Sequence, residues 1–198
     1  MKIVFASGNE GKVREIREML EGMGIELISL SNYAGVPEIV EDGKSFQENA
    51  LKKAKIISEF TGETVLADDS GLQVDALGGE PGIYSSRYAG EKATDEENNT
   101  KLLTKLKNIP REKRTAFFIC VLVLYRRDGS YDYFEGKWKG QIIDERRGNN
   151  GFGYDPIFLV PELKMTAAEL PAEIKNKVSH RGQAFAQLKK KLGERLKN

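Results

Sequence analysis

The chain has 198 residues, with 31 Lys and Arg against 30 Asp and Glu, so its formal net charge is +1. This near balance argues against a general nucleic-acid coat protein, whose binding surface is usually strongly basic. The length suffices for one large domain, or for two small lobes, with a substantial buried core.

The cysteine content and the N-terminal residues indicate a soluble protein of a reducing compartment. Cys120 is the only cysteine, so no disulfide can form within the chain. Its apolar neighbours Ile119 and Val121 favour a buried structural thiol over a nucleophile. The N-terminus turns polar at Ser7 and does not resemble a signal peptide, and no apolar run approaches the ~18 residues of a membrane span. We expect a cytoplasmic protein with no membrane partner.

A strand, a glycine loop and a helix open the chain. Lys2 to Ala6 is an apolar run typical of a buried strand, and the apolar residues Val13, Ile16, Leu20 and Met23 recur at helical spacing. The loop between them consists of Ser7, Gly8, Asn9, Glu10, Gly11 and Lys12. Such a loop directs backbone N–H groups and the positive end of a helix dipole to one point, which suits an anion. The Walker and dinucleotide patterns are absent, so an ordinary strand–helix turn remains an alternative.

Acidic residues then precede a second helix. A strand predicted over Ile25 to Leu30 leads into an irregular connection that carries Glu38 and Glu41. Ser45 and Glu48 have the spacing of a capping box, which predicts a helix start. Acidic residues in a loop are usually only solvated, so Glu38 and Glu41 are candidate metal ligands only if the rest of the chain supplies a context.

The adjacent carboxylates Asp68 and Asp69 follow a predicted strand over Glu63 to Leu66. We expect the strand to end there in a turn at Ser70 and Gly71. The two carboxylates would then lie at the carboxyl end of a strand, where open α/β sheets bind their ligands. Two neighbouring carboxylates are costly to hold together unless cations neutralise them, and Mg²⁺ prefers such oxygen ligands. A solvated acidic turn is the alternative.

The middle of the chain predicts a further helix and a strand hairpin. Thr94 and Glu97 form a second capping box, which starts a helix that ends before Pro110. Residues 115–125 are almost wholly apolar and β-branched, which predicts a central strand covered on both faces. A turn at residues 127–130 leads to a second strand that contains Trp138, which we interpret as a packing residue.

The last third of the chain contains a second glycine-rich loop and a final helix. The loop, residues 147–156, alternates glycine with the aromatic residues Phe152 and Tyr154, on which a flat base could stack, although both could instead pack in the core. Ser179 is the predicted N-cap of a helix with Ala184, Leu188, Leu192 and Leu196 on its core face. His180 and Arg181 would begin this helix, where they could bind a carbonyl or phosphate oxygen or be structural.

Six motifs together resemble the inosine triphosphatase family, the noncanonical purine nucleoside triphosphate pyrophosphatases. They follow the order of the family over nearly the whole chain, and six modest motifs in order form a specific signal. The motifs are Ser7-Gly8-Asn9-x-x-Lys12, Phe46-x-Glu48-Asn49-Ala50, Ala67-Asp68-Asp69-Ser70-Gly71-Leu72, Leu77-Gly78-Gly79-x-Pro81-Gly82, Phe152-Gly153-Tyr154-Asp155-Pro156 and Ser179-His180-Arg181-Gly182-x-Ala184.

The resemblance implies a fold and a reaction. The fold would be α/β, with a long twisted mixed sheet and flanking helices, a single domain of two lobes around a central cleft over residues 1–198, and the assembly would be a homodimer. The reaction would split ITP, dITP or XTP between the α and β phosphorus atoms to give the monophosphate and pyrophosphate, with Mg²⁺ as cofactor. No nucleic acid would be a partner.

The resemblance also implies roles for single residues. Ser7 to Lys12 would hold the phosphate chain together with Lys175. Asp69 would bind Mg²⁺ and orient or deprotonate the attacking water, with Asp68 beside it and Glu38 or Glu41 completing the ligand shell. Ser70 would contact the substrate. Base recognition would fall to Phe152, Gly153, Tyr154, Asp155, His180 and Arg181.

Base choice can be expressed as a hypothesis about hydrogen bonding. Hypoxanthine and xanthine carry an oxygen at position 6, where adenine carries an amino donor, so donors from His180 or Arg181 would favour the oxygen. An unpaired buried polar group costs ~1–3 kcal/mol. Two alternatives remain: a related pyrophosphatase for modified pyrimidine triphosphates, and a nucleotide-sensing module without hydrolysis, against which the paired aspartates weigh.

Overall fold

The computed structural model describes residues 1–195, in which seven strands and five α-helices follow one another. The strands are β1 Lys2–Phe5, β2 Glu26–Ser29, β3 Val65–Val74, β4 Thr115–Tyr125, β5 Tyr131–Ile142, β6 Phe158–Val160 and β7 Met165–Thr166. The α-helices are α1 Glu10–Leu20, α2 Phe46–Thr61, α3 Asp95–Leu106, α4 Ala172–Val178 and α5 His180–Arg195. No helix in this part of the chain is both long and apolar enough to cross a membrane.

The strands form one mixed sheet in the order β2-β1-β3-β4-β5-β6-β7. β1 pairs in parallel with β2 and with β3, whereas β5 pairs antiparallel with β6, and β6 with β7. The prediction of an α/β fold with a mixed sheet and flanking helices is therefore confirmed. The parallel pairs require crossover connections, which α1 and α2 supply.

The chain divides into two compact units. Within the described residues, the first unit comprises residues 1–69, 120–136 and 181–195, and the second comprises residues 70–119 and 137–180. Each unit has its own apolar cluster of buried side chains, as independent cores require. In the first, buried residues of β1, β4, α1 and α5 pack together, with Phe5, Ile16, Leu122 and Leu188 among them. Cys120 is buried in this cluster, as its apolar neighbours predicted.

The core of the second unit contains most of the buried aromatic side chains. Phe118 stacks near Trp138 and Phe158, with ring centroids 6.4 and 4.5 Å apart. Trp138 is therefore a packing residue, as expected. Tyr154 belongs to the same cluster and is 4% exposed. The strands supply this core because β5 alternates exposed and buried positions, which leaves one of its faces apolar.

Two local predictions are corrected, and three short elements were not predicted. β3 continues to Val74 rather than ending in a turn at Ser70 and Gly71, because Leu72 and Val74 are fully buried and keep the backbone extended. At the start of α2, Ser45 caps Glu48 as predicted, but Glu48 accepts the N–H of Lys44 instead of that of Ser45. The sequence also gave no sign of α4, β6 or β7, which are all short.

Other elements agree with the prediction. The capping box of α3 is complete, because Thr94 and Glu97 each accept the N–H of the other. The fully apolar segment forms β4 with the predicted bounds of residues 115–125. Ala184, Leu188 and Leu192 face the core from α5, while Leu196 lies outside the described residues.

Candidate active site

Asp68 and Asp69 lie in the middle of β3, and both are buried. Successive residues of a strand point to opposite faces, so the two carboxylates enter different surroundings although they are neighbours in sequence. Their partners differ accordingly: Asp68 binds cations, and Asp69 binds an amide. The sequence alone presented them as an equivalent pair.

Asp68 is held as an anion by two cations. The Lys12 Nζ lies 3.2 and 3.1 Å from its two carboxylate oxygens, and the Arg181 Nη2 lies 3.0 Å from Oδ2. Burial would raise the pKa of Asp68, but the charges of Lys12, Arg181 and Lys53 outweigh it and hold this pKa well below its ordinary value. Asp68 is thus an ionised anchor for Lys12 and Arg181 at neutral pH.

Arg181 is itself buried between two carboxylates. Its Nη1 donates to Glu15 at 2.5 Å, in addition to its contact with Asp68, and the residue is 1% exposed. Burial lowers the pKa of the guanidinium, but Glu15 and Asp68 raise it by more, so it stays charged. In the first unit, Arg181 therefore connects α5 to α1 and β3 through its ion pairs.

Asp69 has a contrasting environment. The Asn49 Nδ2 donates to its Oδ2 at 3.1 Å. Burial raises the pKa of Asp69 to about 6; Lys12 and Lys53 lower it, and Glu41 adds to the rise. A carboxylate with a pKa near neutrality can accept a proton and release it again at physiological pH, which suits a general base.

Lys53 brings a third cation to the same cluster. Its ammonium is buried and binds Glu41, and the charges of Glu41, Asp68 and Asp69 outweigh burial and raise its pKa. Glu41 is half-buried and acts electrostatically on Asp69, whereas Glu38 is exposed in the same loop. This arrangement favours Glu41 over Glu38 as the second acidic residue. We call Asp68, Asp69, Glu41, Lys12, Lys53 and Arg181 the charged cluster.

The loop from Ser7 to Lys12 presents the start of α1 beside this cluster. Asn9 is the N-cap, and its Oδ1 accepts the N–H of Lys12 at 3.0 Å, while the Ser7 Oγ accepts the N–H of Asn9 at 3.2 Å. Open space surrounds the position of a Cβ at Gly8. Backbone N–H groups at a helix start attract anions, and here Lys12 adds a charge that Asp68 keeps in place.

In the second unit, a buried ion pair organises residues 152–155, the aromatic loop. The Lys175 Nζ lies 2.5 Å from the Asp155 Oδ2, and both side chains are buried. The same oxygen accepts the N–H of Phe152 at 3.0 Å. The ammonium also lies 5.1 Å from the centre of the Phe152 ring. Lys175, expected to bind phosphate, thus pairs from α4 with the aromatic loop of this unit.

The two aromatic side chains of the loop are placed differently. Tyr154 is buried and donates its hydroxyl to the Ser85 carbonyl at 2.8 Å, so its ring is a core residue. Burial raises the pKa of this hydroxyl above its ordinary value, which keeps it a donor. Phe152 is half-buried and is the better candidate for stacking on a base.

Two side chains of α3 form hydrogen bonds with the backbone of the aromatic loop. Asn99 donates to the Gly153 carbonyl at 2.9 Å, and Asp95 accepts the Gly153 N–H at 2.6 Å.

Two further candidate site residues belong to the second unit. His180 is buried, with its ring stacked on Phe118 at 4.8 Å between centroids, and Ser70 is half-buried in β3. The structure thus divides the predicted site residues between the two units.

Sequence reasoning missed three residues of the charged cluster and its surroundings. Asn49 was noted only as part of a motif, and Lys53 and Glu15 were not considered. Lys53 follows Asn49 by four residues, so both lie on one face of α2. The available signal was a polar residue on the apolar face of a predicted helix. At Lys53 that residue carries a charge, and a buried charge needs an acidic partner.

A divalent cation fits the donor set of the charged cluster. Asp69 and Glu41 offer hard oxygen ligands, and the electrostatic effect of Glu41 on Asp69 shows two carboxylates that a cation would stabilise. The described residues contain no group of three or more His, Cys, Asp or Glu side chains that could hold a metal ion. Two carboxylates suffice for Mg²⁺, because it keeps several of its waters.

Comparisons with known proteins agree with these observations. The model of the Ham1 family matches residues 3–191. The chain is 53% identical to the dITP/XTP pyrophosphatase of Geobacter sulfurreducens over 192 residues, which cover 97% of this chain and 96% of the relative. It is 50% identical to the dITP/XTP pyrophosphatase of Desulforamulus reducens, with 93% and 92% covered.

Solved structures match over nearly the whole chain. The Staphylococcus aureus Ham1 protein is 42% identical with a TM-score of 0.87, and it covers 98% of this chain and 100% of its own. The Mycobacterium abscessus nucleoside-triphosphatase, a dITP/XTP pyrophosphatase, is 45% identical with a TM-score of 0.76, with 95% and 97% covered. These matches confirm the resemblance that the six motifs indicated, and the chain belongs to the Ham1 family.

Proposed function

We propose that this chain hydrolyses noncanonical purine nucleoside triphosphates, namely dITP, XTP and ITP, to the monophosphate and pyrophosphate. The observation that carries the proposal is the contrast within β3, where Asp69 has a raised pKa beside Asp68, which is held ionised by Lys12 and Arg181. Relatives about 50% identical over nearly their whole length are named dITP/XTP pyrophosphatases, which supports this substrate class. A sensing module would not need a carboxylate poised to accept a proton.

The charged cluster would act on the phosphates. Asp69 would take a proton from the water whose oxygen attacks the α-phosphorus, while the α–β anhydride bond breaks and pyrophosphate leaves. The Ser7 to Lys12 loop and Lys12 would hold the phosphate oxygens, and the buried Lys53 would add a charge. Asp68 would fix Lys12 rather than react. Positioning and charge stabilisation account for most of the catalysis of phosphoryl transfer.

Membership of this pyrophosphatase family suggests a divalent cation, and we propose that it is Mg²⁺. Asp69 and Glu41 would hold this cation. When bound, the ion supplies charge neutralisation at the phosphoryl oxygens. The ionic contact between Lys53 and Glu41 would keep the side chain of Glu41 oriented in the absence of the ion. Glu38 is a weaker candidate, because it is exposed.

The second unit would read the base. Phe152 would offer its face, Asp155 and Lys175 would order the aromatic loop, and Ser70 would contact the substrate. Gly153 and Tyr154 would contribute through the backbone, since the Tyr154 ring is buried. His180 and Arg181 remain candidates for recognition of the oxygen at position 6. Arg181 would act partly through Asp68 and Glu15, to which it is already bound.

Release of pyrophosphate tests the proposal directly. The full chain is incubated with dITP, XTP, ITP, dATP, dGTP and a modified pyrimidine triphosphate, with Mg²⁺ or with EDTA. We expect the first three to release pyrophosphate only with the cation and with kcat/KM roughly ten- to hundredfold above that of dATP, because a mismatched polar group costs ~1–3 kcal/mol. Release of orthophosphate, or preference for the pyrimidine, would overturn the assignment.

A homodimer and a cytoplasmic location, without membrane or nucleic-acid partners, follow from the resemblance and from the composition and belong to the same proposal. Sedimentation equilibrium of the full chain measures the first. A monomer at micromolar concentration would remove the dimer while leaving the activity in place.

A further inference from the structure

Asn49 bridges two parts of the first unit through its side-chain amide. The residue is 1% exposed. Its Oδ1 accepts the N–H of Gly43 at 2.8 Å, and its Nδ2 donates to the Asp69 Oδ2 at 3.1 Å. The acceptor and donor ends of the amide are therefore both used, and the orientation of the amide is fixed by the Gly43 N–H, which only an oxygen can accept.

The loop that Asn49 holds is the one that carries Glu41. Gly43 lies two residues beyond Glu41, and its backbone is packed against Asn49 so closely that a Cβ at Gly43 would come within 2.6 Å of the Asn49 Oδ1. Gly43 has no left-handed backbone angle, so this close contact is the feature that requires glycine there. One side chain thus sets the position of the loop of Glu41 and of the carboxylate of Asp69.

The second unit contains a matched asparagine with a different partner. Asn98 is the fourth residue of α3, as Asn49 is of α2, and it is 3% exposed. Its Oδ1 accepts the N–H of Ala89 at 2.8 Å, but its Nδ2 donates to the Ser86 carbonyl at 3.1 Å. Both asparagines bind a loop to the first turn of a helix. Of the two, Asn49 donates to a carboxylate, that of Asp69, whereas Asn98 donates to a backbone carbonyl.

We propose that Asn49 is a positioning residue for the metal-binding carboxylates of the charged cluster. By holding Asp69 and the loop of Glu41 at one amide, it keeps the two acidic side chains at a fixed spacing that a divalent cation needs. This inference rests on the proposed function, in which Asp69 and Glu41 hold the cation. Residues that hydrogen-bond to the ligands of a metal and orient them, without touching the metal, typically contribute about 10- to 100-fold to metal affinity or activity.

The test compares Asn49→Ala with Asn98→Ala in the full chain. Each substitution removes a buried amide at the same position of a helix and deprives one loop N–H of its acceptor, so we expect similar losses of Tm. Binding of Mn²⁺ alone is measured by electron paramagnetic resonance, because Mn²⁺ takes the same oxygen ligands as Mg²⁺. We expect Asn49→Ala to weaken Mn²⁺ binding about tenfold or more and Asn98→Ala to leave it at the wild-type value.

Kinetics provide a second measurement. With Asn49→Ala, the Mg²⁺ concentration for half-maximal rate should rise and kcat should fall, while KM for dITP at saturating Mg²⁺ should change little. A second variant, Gly43→Ala, keeps the asparagine but displaces it, and it should shift Mn²⁺ affinity in the same direction. It also serves if Asn49→Ala does not fold.

The outcomes separate this inference from the proposed function. Wild-type affinity for Mn²⁺ in both Asn49→Ala and Gly43→Ala would overturn the positioning role, and so would an equal loss in Asn98→Ala. Both results leave the activity of the wild-type chain untouched. A wild-type chain that binds Mn²⁺ yet releases no pyrophosphate would overturn the proposed function instead.

Discussion

The charged cluster of the first unit and the Asp155–Lys175 pair of the second unit are both buried ionic sites, but their charges are arranged differently. Asp155 has one lysine at 2.5 Å, and the pair is neutral as a whole. In the charged cluster, three cations accompany three carboxylates, with Lys12 and Arg181 bound to Asp68 and Lys53 bound to Glu41. Asp69 accepts an amide donor from Asn49 and has a raised pKa.

This difference indicates what each site is built to do. A balanced buried pair serves to fix a structure, here the aromatic loop, and removal of one partner lowers stability because it leaves an unpaired buried charge. The charged cluster instead holds one carboxylate, Asp69, whose pKa is raised by burial and by Glu41, and such a group is a candidate for a functional role. Substitutions at each of the two sites test this difference.

The largest expected effect is on catalysis by the first unit. Asp69→Asn keeps the acceptor for Asn49 but removes the base and a charged ligand, so kcat for dITP should fall by about 10²–10⁴. The control is Asp75→Asn, which changes an exposed aspartate just beyond β3. Stopped-time assays of pyrophosphate release measure both. If Asp69→Asn retained more than a tenth of the rate, the base would have to be another group.

The balanced pair should show its effect in stability. Lys175→Met leaves the Asp155 carboxylate buried without its cation, and breaking such a pair costs about 3–5 kcal/mol. Urea unfolding of Lys175→Met and of the double variant Lys175→Met/Asp155→Asn measures this. The double variant should recover part of the loss, because it removes the uncompensated charge. Equal stability of the two variants would show that the pair is not the source of the loss.

Part of this organisation could be predicted from the sequence. The apolar run of β4 and the complete capping box of α3 have strong local signals, and both formed with the expected bounds. The six motifs also identified the family, because each motif is local in sequence. What composition and spacing did not give was the continuation of β3 beyond Asp69, which depends on the burial of Leu72 and Val74 against distant elements.

The roles of individual charges depended on tertiary contacts that no local pattern encodes. Glu15 and Arg181 are separated by 166 residues, and Lys12 and Asp68 by 56. Without those contacts Asp68 and Asp69 are indistinguishable, and Lys12 and Lys175 are two lysines of the same kind. In the structure, Lys12 pairs with Asp68 in the first unit and Lys175 pairs with Asp155 in the second unit. The roles proposed for the two lysines therefore rest on different contacts.

A smaller effect concerns the dependence of stability on pH. The pKa of Asp69 is raised to about 6 from 3.8, so its contribution to stability is present below pH 3.8 and is lost as pH rises through 6. Above that range the ionised group opposes folding by on the order of 2–3 kcal/mol. Asp69→Asn in EDTA should therefore stabilise the protein at pH 8 but not at pH 4. Thermal unfolding at both values measures this, and a gain of equal size at pH 4 would contradict the assigned cause.

The smallest expected effect concerns base selectivity in the second unit. The Ser85 Oγ accepts the N–H of Leu72 at 2.8 Å and donates to the Gly82 carbonyl at 2.6 Å, while its own carbonyl accepts the Tyr154 hydroxyl. It therefore connects the second half of β3 with the aromatic loop. Ser85→Ala leaves the buried N–H of Leu72 without its acceptor, which should cost ~1–3 kcal/mol of stability.

The consequence for selectivity follows from the same contacts. If the aromatic loop reads the base, a shift of Tyr154 relative to Ser70 should lower the ratio of kcat/KM for dITP over dATP by up to about tenfold. The value of kcat for dITP should change little, because Ser85 is not bonded to the charged cluster. Ser86→Ala, at the exposed neighbour of Ser85, is the matched control. An unchanged ratio in a destabilised Ser85→Ala protein would mean that the aromatic loop tolerates such shifts, and that base recognition depends on His180 and Arg181 instead.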